Sequence, residues 1–505
     1  MTTPRRPATD APWRSLVPAL APLGGRRPWA LVVAVLALTA WLALWPMVLT
    51  PGTALPAGDG DALSRWAVVL ERGLDWQALV QVDRTNHPLG EDLVARYGVP
   101  LDAAPALVLV PLFGWPLGIN LALWLWVFLA GLSAAWLGGR WWGDHRAALV
   151  IGVGWQTGTT LAVAASAGAY PVLLALALLP LALGLWLRAL ERGTWEAGVV
   201  AGLPVVALAV GPREALWWWV LAGLPVLALA LMAGRLLPAL QAVTGVVGAI
   251  AVVGLAPVAW SLGSGWLAVP PPDLPPLLAG PTGLLLAGLA AVGLLHAHRV
   301  PRRWVLPACW VAIGGLFALG TWGPGSPGAL FEALPGSGSA GGMMGLAELG
   351  LVLLAGGLAA WRLDGAIVVA LVLGAAGPMQ SLSLTPWPPE LPAGTGVVLE
   401  LPLPRDGGSA LVRAAVHGRP LASGAGPEDP VTRSLYRIAP VLAALGRLDA
   451  EGGHVPPRDE LLQLRALGVQ ELHVDLSQAG PWVRDLQRRL GPGEQEGDWL
   501  RLPLP

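Results

Sequence analysis

The segment PGTALPAGDGDALSRWAVVLERG (Pro51–Gly73), continued by VDRTNHPLGEDL (Val82–Leu93), is the longest polar interruption in an otherwise apolar N-terminal three-quarters of the chain. It carries Asp59, Asp61, Arg65, Glu71, Asp75, Asp83, Arg84, His87, Glu91 and Asp92, yet only 12% of the 505 residues are charged. Soluble domains hold about twice that share. On both sides of the interruption the sequence runs in apolar stretches close to twenty residues long, the length that crosses a bilayer as a helix. The segment therefore reads as a long loop, bounded at about 50–102, between the first two passes of a polytopic helical membrane protein.

The rest of the composition agrees. The chain is 55% hydrophobic with a mean hydropathy of +0.61 and a net charge of -1. No basic patch calls for nucleic acid or for a polybasic membrane anchor. The basic residues are all arginine, and the single Cys309 excludes an internal disulfide and argues against a thiolate metal site. Many of the 27 tryptophans stand near the ends of apolar runs (Trp41, Trp45, Trp141, Trp142, Trp195, Trp304, Trp322, Trp361), as interfacial anchors do.

Sidedness follows the arginines. Arg5, Arg6, Arg14, Arg26 and Arg27 precede the first run, about 29–49, which is too long for a cleaved signal and reads as a retained span. The tail 1–28 is then cytoplasmic and the loop 50–102 lies outside. The short run 104–113 reads as a re-entrant or interfacial helix. Further spans are expected at about 117–137, 147–165, 171–187, 197–210, 216–232, 237–260, 278–295, 305–319, 346–360 and 366–382. That makes about eleven transmembrane helices within 29–384. Arg140, Arg146, Arg188, Arg192, Arg235, Arg299, Arg302, Arg303 and Arg362 all fall on the inner side, with Arg213 the main exception. The spans read as nearly free of charge.

From about Thr385 no run can span. TPWPPELPAG is a hinge into an extracytoplasmic α/β domain, 385–505. Strands are expected at GVVLELPL, ELHVDL and DWLRLPLP. Helices are expected at 430–448, interrupted by Pro440, at DELLQLRALG ending at Gly468, and at PWVRDLQRRL.

Several of these pieces, taken in order, resemble a known group. GDGDALSRWAVV, NHPLGEDL, the step from Pro111 to Asn120, the loop GPGSPGALFEALPG and the C-terminal VLELPL…HGRPLASG…LRALGVQELHV look like bacterial multi-pass proteins with the GT-C glycosyltransferase fold. The resemblance implies a polyprenyl-phosphate sugar as donor, an aspartate of the first outer loop as base, and a lipid, glycan or protein acceptor in the cell envelope. Two outer loops depart from it: Thr321–Met344 lacks arginine, and SAGAY (166–170) lacks the polar and histidine residues expected there.

Such a transfer needs a base for the acceptor hydroxyl and cations for the phosphate leaving group. Asp61 is the first candidate base and Asp59 the second; both are candidate ligands for Mg²⁺ or Mn²⁺, which favour carboxylates. Asp61 also fits as the N-cap of the helix that follows. Arg84 and His87, with Arg213 from a later outer span end, are candidates for the donor phosphate. A solvated loop role suits the first two equally, and Arg213 can simply pair with Glu214. Glu91 and Asp92 orient an acceptor or cap the next turn. His417 and Arg419 touch an acceptor or hold the C-terminal domain together. His296 and His298 read as an interfacial cluster. An Asp-Gly-Asp outside the membrane has no nucleotide sugar to meet, which favours a lipid-linked donor. The competing readings are a noncatalytic scaffold or accessory protein of envelope polysaccharide or lipid assembly, and a transporter or flippase. The charge-poor spans count against the last.

Overall fold

The computed structural model describes residues 26–56, 66, 68–70, 99–166, 168–211, 214–254, 285, 287–292, 303–318, 326–332, 343–359, 368, 384–386, 396–403, 419, 422, 430–448 and 453–505. The chain divides into two compact units, Met1–Pro56 with Arg96–Thr385, and Ala57–Ala95 with Pro386–Pro505.

The first unit is helical. Its described elements are α1 (Arg26–Ala43), β1 (Ala54–Pro56), α2 (Ala104–Phe113), α3 (Trp115–Trp142), α4 (His145–Gln156), α5 (Thr159–Ser166), α6 (Tyr170–Arg192), α7 (Trp195–Val210), α8 (Glu214–Met232), α9 (Leu236–Ala249), α10 (Val305–Ala318), α11 (Pro327–Glu332), α12 (Met344–Ala359) and β2 (Leu384–Pro386). Four stretches are long and apolar enough to cross a membrane: Trp115–Trp142, His145–Ser166, Tyr170–Arg192 and Ala215–Met232. Six more apolar helices of 10–17 residues accompany them. The chain is a multi-pass membrane protein. The spans expected at 278–295 and 366–382 fall mostly outside the described residues, so the count of eleven is not reached among them.

Apolar length and turn chemistry place the helix ends. Asp144 and Thr194 cap α4 and α7 by accepting the N–H of Arg146 and Ala197. Gly143 and Gly193, at φ 72° and 64°, end α3 and α6 in the left-handed region where a side chain is strained. Interior polar groups then tie the helices together. Gln156 donates through Nε2 to the carbonyls of Leu36 (3.1 Å) and Val127 (3.3 Å), and its Oε1 accepts from Thr39 at 2.6 Å. One amide thereby joins α1, α3 and α4, and each of its bonds replaces one that water cannot supply inside a bilayer.

The short helix α2 doubles back along the start of α3. The indole of Trp126, three turns into α3, donates to the carbonyl of Asp102 at 2.7 Å, just ahead of α2. A Cβ on Gly118 would stand 2.5 Å from the backbone of Val110, so only glycine permits this approach of the two helices. Val108, Leu112 and Phe113 remain exposed on α2.

In the second unit the described elements of the C-terminal segment are β3 (Val397–Leu401), α13 (Pro430–Ile438), α14 (Pro440–Leu445), α15 (Arg458–Leu462), β4 (Val469–Asp475), α16 (Val483–Leu490), β5 (Glu494–Glu496) and β6 (Trp499–Pro503). They form a four-stranded sheet in the order β3-β4-β6-β5. The β3–β4 pair is parallel and the others antiparallel. A parallel pair needs a long crossover, which α13–α15 supply. One sheet face carries Leu399, Leu401, Leu472, Val474, Leu500 and Leu502, buried in a core with Leu435, Leu442, Leu461 and Leu486 from the helices. The expected α/β layer is present, with the helix break at Ala439 beside Pro440 and the stop at Gly468 (φ 81°).

Candidate functional site

The residues the sequence nominates as donor, acceptor and base groups, namely Asp59, Asp61, Arg84, His87, Glu91, Asp92, Arg213 and His417, all lie outside the described residues. So do His296 and His298. Among the described residues no three His, Cys, Asp or Glu side chains gather as metal ligands; the expected pair Asp59 and Asp61 lies outside them. What the structure does describe is the frame from which the nominated loop is hung.

Its start is fixed at β1. Asn120 of α3 is fully buried and donates through Nδ2 to the carbonyls of Pro51 and Ala54, both at 2.8 Å. The turn itself is closed by the N–H groups of Thr53 and Ala54 on Thr50 O, both at 3.2 Å. β1 pairs with β2, so the first exit from the bundle lies beside the last. The loop's other end is fixed at α7: Val99 N–H donates to Val210 O at 3.0 Å. Arg213 follows Val210 by three residues, which holds its Cα within about 10 Å of that anchor by chain length alone. The same limit keeps Asp59 and Asp61 within about 10 and 17 Å of Pro56. Beyond that anchor, Asp102 and Tyr170 are both buried.

A second site was not legible as such. Glu348 of α12, 1% exposed, accepts at Oε1 from Thr159 N–H (2.6 Å) and at Oε2 from Thr160 N–H (2.9 Å). The span expected as one helix at 147–165 is broken at Thr157–Gly158, and Glu348 supplies the acceptors that the restarted helix α5 lacks for its first N–H groups. It also stands at the positive end of that helix dipole. Glu348 is a carboxylate inside one of the spans read as nearly free of charge. The signal was present in the polar run Gln156–Thr160 inside an apolar span, and in one carboxylate inside another.

The third cluster occupies the polar face of the C-terminal sheet. Glu471 on β4 accepts from Arg419 Nη2 (2.8 Å), from Arg501 Nη2 and from His473 Nε2 (3.2 Å). Arg419 also donates through Nε to Gly396 O at 3.2 Å. His473 lies between Glu400 on β3 and Arg501 on β6 in register. Burial opposes the charge on Glu471, but the hydrogen bonds from Arg501, Arg419 and His473 outweigh it and hold the carboxyl at about 2. Burial pushes His473 down to about 4, against the pull of its bond to Glu471 and with help from the positive Arg419. The imidazole is therefore neutral at pH 7. With a carboxylate on Nε2, that nitrogen carries the proton, and Nδ1 has no partner among the described residues. Of the two expectations for Arg419, the structural one describes these contacts.

The chain, an α-helical polytopic bundle with a small α/β unit, has the GT-C glycosyltransferase fold. The crystal structure of ArnT from Cupriavidus metallidurans bound to undecaprenyl phosphate matches 95% of this chain and 99% of its own, with a TM-score of 0.55 and 14% identity. The apo structure of the same ArnT matches at a TM-score of 0.49 and 14% identity over 94% of this chain and 98% of that one. The apo oligosaccharyltransferase of Archaeoglobus fulgidus matches at 0.47 and 14% identity, over 90% of this chain and 70% of that one. No protein-family model and no curated protein matches the sequence.

Proposed function

We propose that this protein is a membrane glycosyltransferase. It moves a sugar from a polyprenyl-phosphate donor to an envelope lipid, glycan or protein at the outer face of the cytoplasmic membrane. The observation that carries this reading is the end-to-end coincidence of the fold with a protein solved with undecaprenyl phosphate bound. In the reaction the acceptor oxygen attacks the anomeric carbon, the bond from that carbon to the phosphate oxygen breaks, and the phosphate leaves with the electron pair. Asp61, with Asp59 second, takes the acceptor proton. Arg84, His87 and Arg213 neutralise the leaving phosphate, and Glu91, Asp92 and His417 support the acceptor side. A divalent cation, if the transfer uses one, sits on Asp59 and Asp61, and chelation measures that dependence.

The test is transfer of label from undecaprenyl-phosphate sugars by the purified protein in nanodiscs. Asp61→Asn is expected to slow it by about a hundredfold, the usual contribution of a positioned base. An unchanged rate removes Asp61 from that role. In the same reading the N-terminus is cytoplasmic and the C-terminal domain outside. A reporter active only outside the cytoplasm, fused after Pro505, is expected to be active, and a silent fusion reverses the topology.

A second reading has a specific observation behind it. Thr321–Met344 has no arginine and 166–170 no histidine, which fits a GT-C-like scaffold without chemistry. A wild type inert with every donor favours it.

A further inference from the structure

The chain leaves the bundle through two paired strands. β1 leads into the loop that carries Asp59 and Asp61, β2 leads into the C-terminal domain, and the two are hydrogen-bonded to each other. One side chain of the bundle is bonded to the β1 end of this ribbon. Asn120 spends both N–H groups of its amide on two carbonyls three residues apart, Pro51 and Ala54, so that one buried group clamps the turn that enters β1. The choice of amide is chemical. The atoms facing Nδ2 are carbonyl oxygens, and an aspartate of the same shape offers them no donor. Asn120 lies six residues into α3, on the helix that also carries Trp126, the residue bonded to Asp102 beyond the loop's far end. A single rigid helix therefore holds one strut at each side of the loop.

We infer that Asn120 is a positioning residue for the transfer reaction: by clamping the β1–β2 ribbon it sets where the loop carboxylates start from. It does not touch substrate. The inference rests on the glycosyl-transfer reading. It predicts that donor binding and chemistry separate when the clamp is lost, because Asp59 and Asp61 follow the ribbon by three and five residues, whereas Arg84 and His87 stand 28 and 31 residues along the loop and Arg213 follows the end of α7.

The experiment uses the full-length protein in nanodiscs, undecaprenyl-phosphate hexose and pentose probes, and a membrane lipid extract as acceptor. Asn120→Asp keeps the shape and removes both donors. It is expected to lower kcat at least tenfold with the donor KM within threefold, and to speed hydrogen exchange in the peptide Thr50–Pro56 while Ala130–Leu137 of α3 stays protected. Asn120→Ala is expected to fall short of Asn120→Asp in effect, since it sets no carboxylate against the two carbonyls. Trp124→Phe is the control. It loses the indole bond to Ala37 O at 3.1 Å, an α3–α1 tie with no link to the ribbon, and is expected to lower thermal stability yet leave kcat and ribbon exchange at wild-type values. Wild-type transfer with Asn120→Asp equally active overturns the inference and leaves the reading standing. A drop in kcat shared equally by Trp124→Phe also overturns it, because general loosening then explains the loss. A wild type inert with all probes overturns the reading itself, and the inference with it.

Discussion

Replacing Glu348 by alanine is expected to cost the folded protein about 3 kcal/mol, since two buried N–H groups each forfeit an acceptor at about 1–3 kcal/mol apiece. The groups are those of Thr159 and Thr160, 2.6 and 2.9 Å from the carboxyl oxygens. In a soluble protein water would take over. Here α5 restarts inside an apolar bundle, where water does not take over. Glu348→Gln is the informative companion. It keeps the volume but presents only one acceptor oxygen and turns an NH₂ toward a second donor, so it should recover less than half of the loss. Gly158→Ala attacks the same contact from the other side, because an added Cβ would stand 2.5 Å from Oε1 and push the carboxyl off its partners. The two substitutions remove one interaction, so the double variant should be clearly less than additive. Denaturation midpoints in detergent measure all three. A neutral Glu348→Ala would mean that the helix end has another acceptor.

The second large effect belongs to the C-terminal domain. Glu471→Ala removes the one carboxylate that joins Arg419, Arg501 and His473, and leaves the Arg419 guanidinium buried without its carboxylate. Breaking a buried pair from one end typically costs about 3–5 kcal/mol. Glu471→Gln should cost less, because its carbonyl oxygen still accepts from one arginine. The same network makes the domain acid-sensitive, and the sign follows from the two displaced groups. His473 is held at about 4, below the usual histidine value, so as pH falls from about 6.5 to 4 the unfolded chain takes up a proton that the folded one refuses. Glu471 is held at about 2, so between about 4.5 and 2 the unfolded carboxylate protonates first. In both windows the unfolded state binds more protons, and stability falls as pH falls. The expected result is a melting temperature that declines continuously from pH 6.5 to 3, with the upper part of the decline abolished by His473→Phe. A flat profile over that range would show that the network is not formed.

Much of this fold is written locally. Apolar length gave α7 and α8 to within two residues and α3 and α6 with their C-terminal ends five residues short, and the helix stops at Gly143, Gly193 and Gly468 follow from turn chemistry that needs no tertiary information. The failures have a common cause, which is pairing over distance. Glu348 meets a helix end almost 190 residues away in sequence, and nothing in LAELGL announces a broken helix elsewhere. Glu471 and His473 look like the solvent face of an alternating strand, and are buried because Arg419 and Arg501, 52 and 30 residues distant, come back to Glu471. β5 is Glu-Gln-Glu, exposed at every position, and has no alternation to read. For the nominated transfer residues the sequence supplied chemistry and order along the chain. The structure adds the fixed ends from which they reach, Asn120 and β1 on one side, Val210 on the other.

The ribbon of β1 and β2 also has a consequence in time. A nascent chain emerges in order, and the strand that completes β1 is made roughly 330 residues after it, a delay of about 15–65 s at 5–20 residues per second. Until then β1 has the clamp of Asn120 without its partner strand, which arrives only with the segment that opens the C-terminal domain. A product truncated anywhere before Leu384 therefore inserts its spans with the first exit unpaired. Pairing of β1 waits on the last quarter of the message.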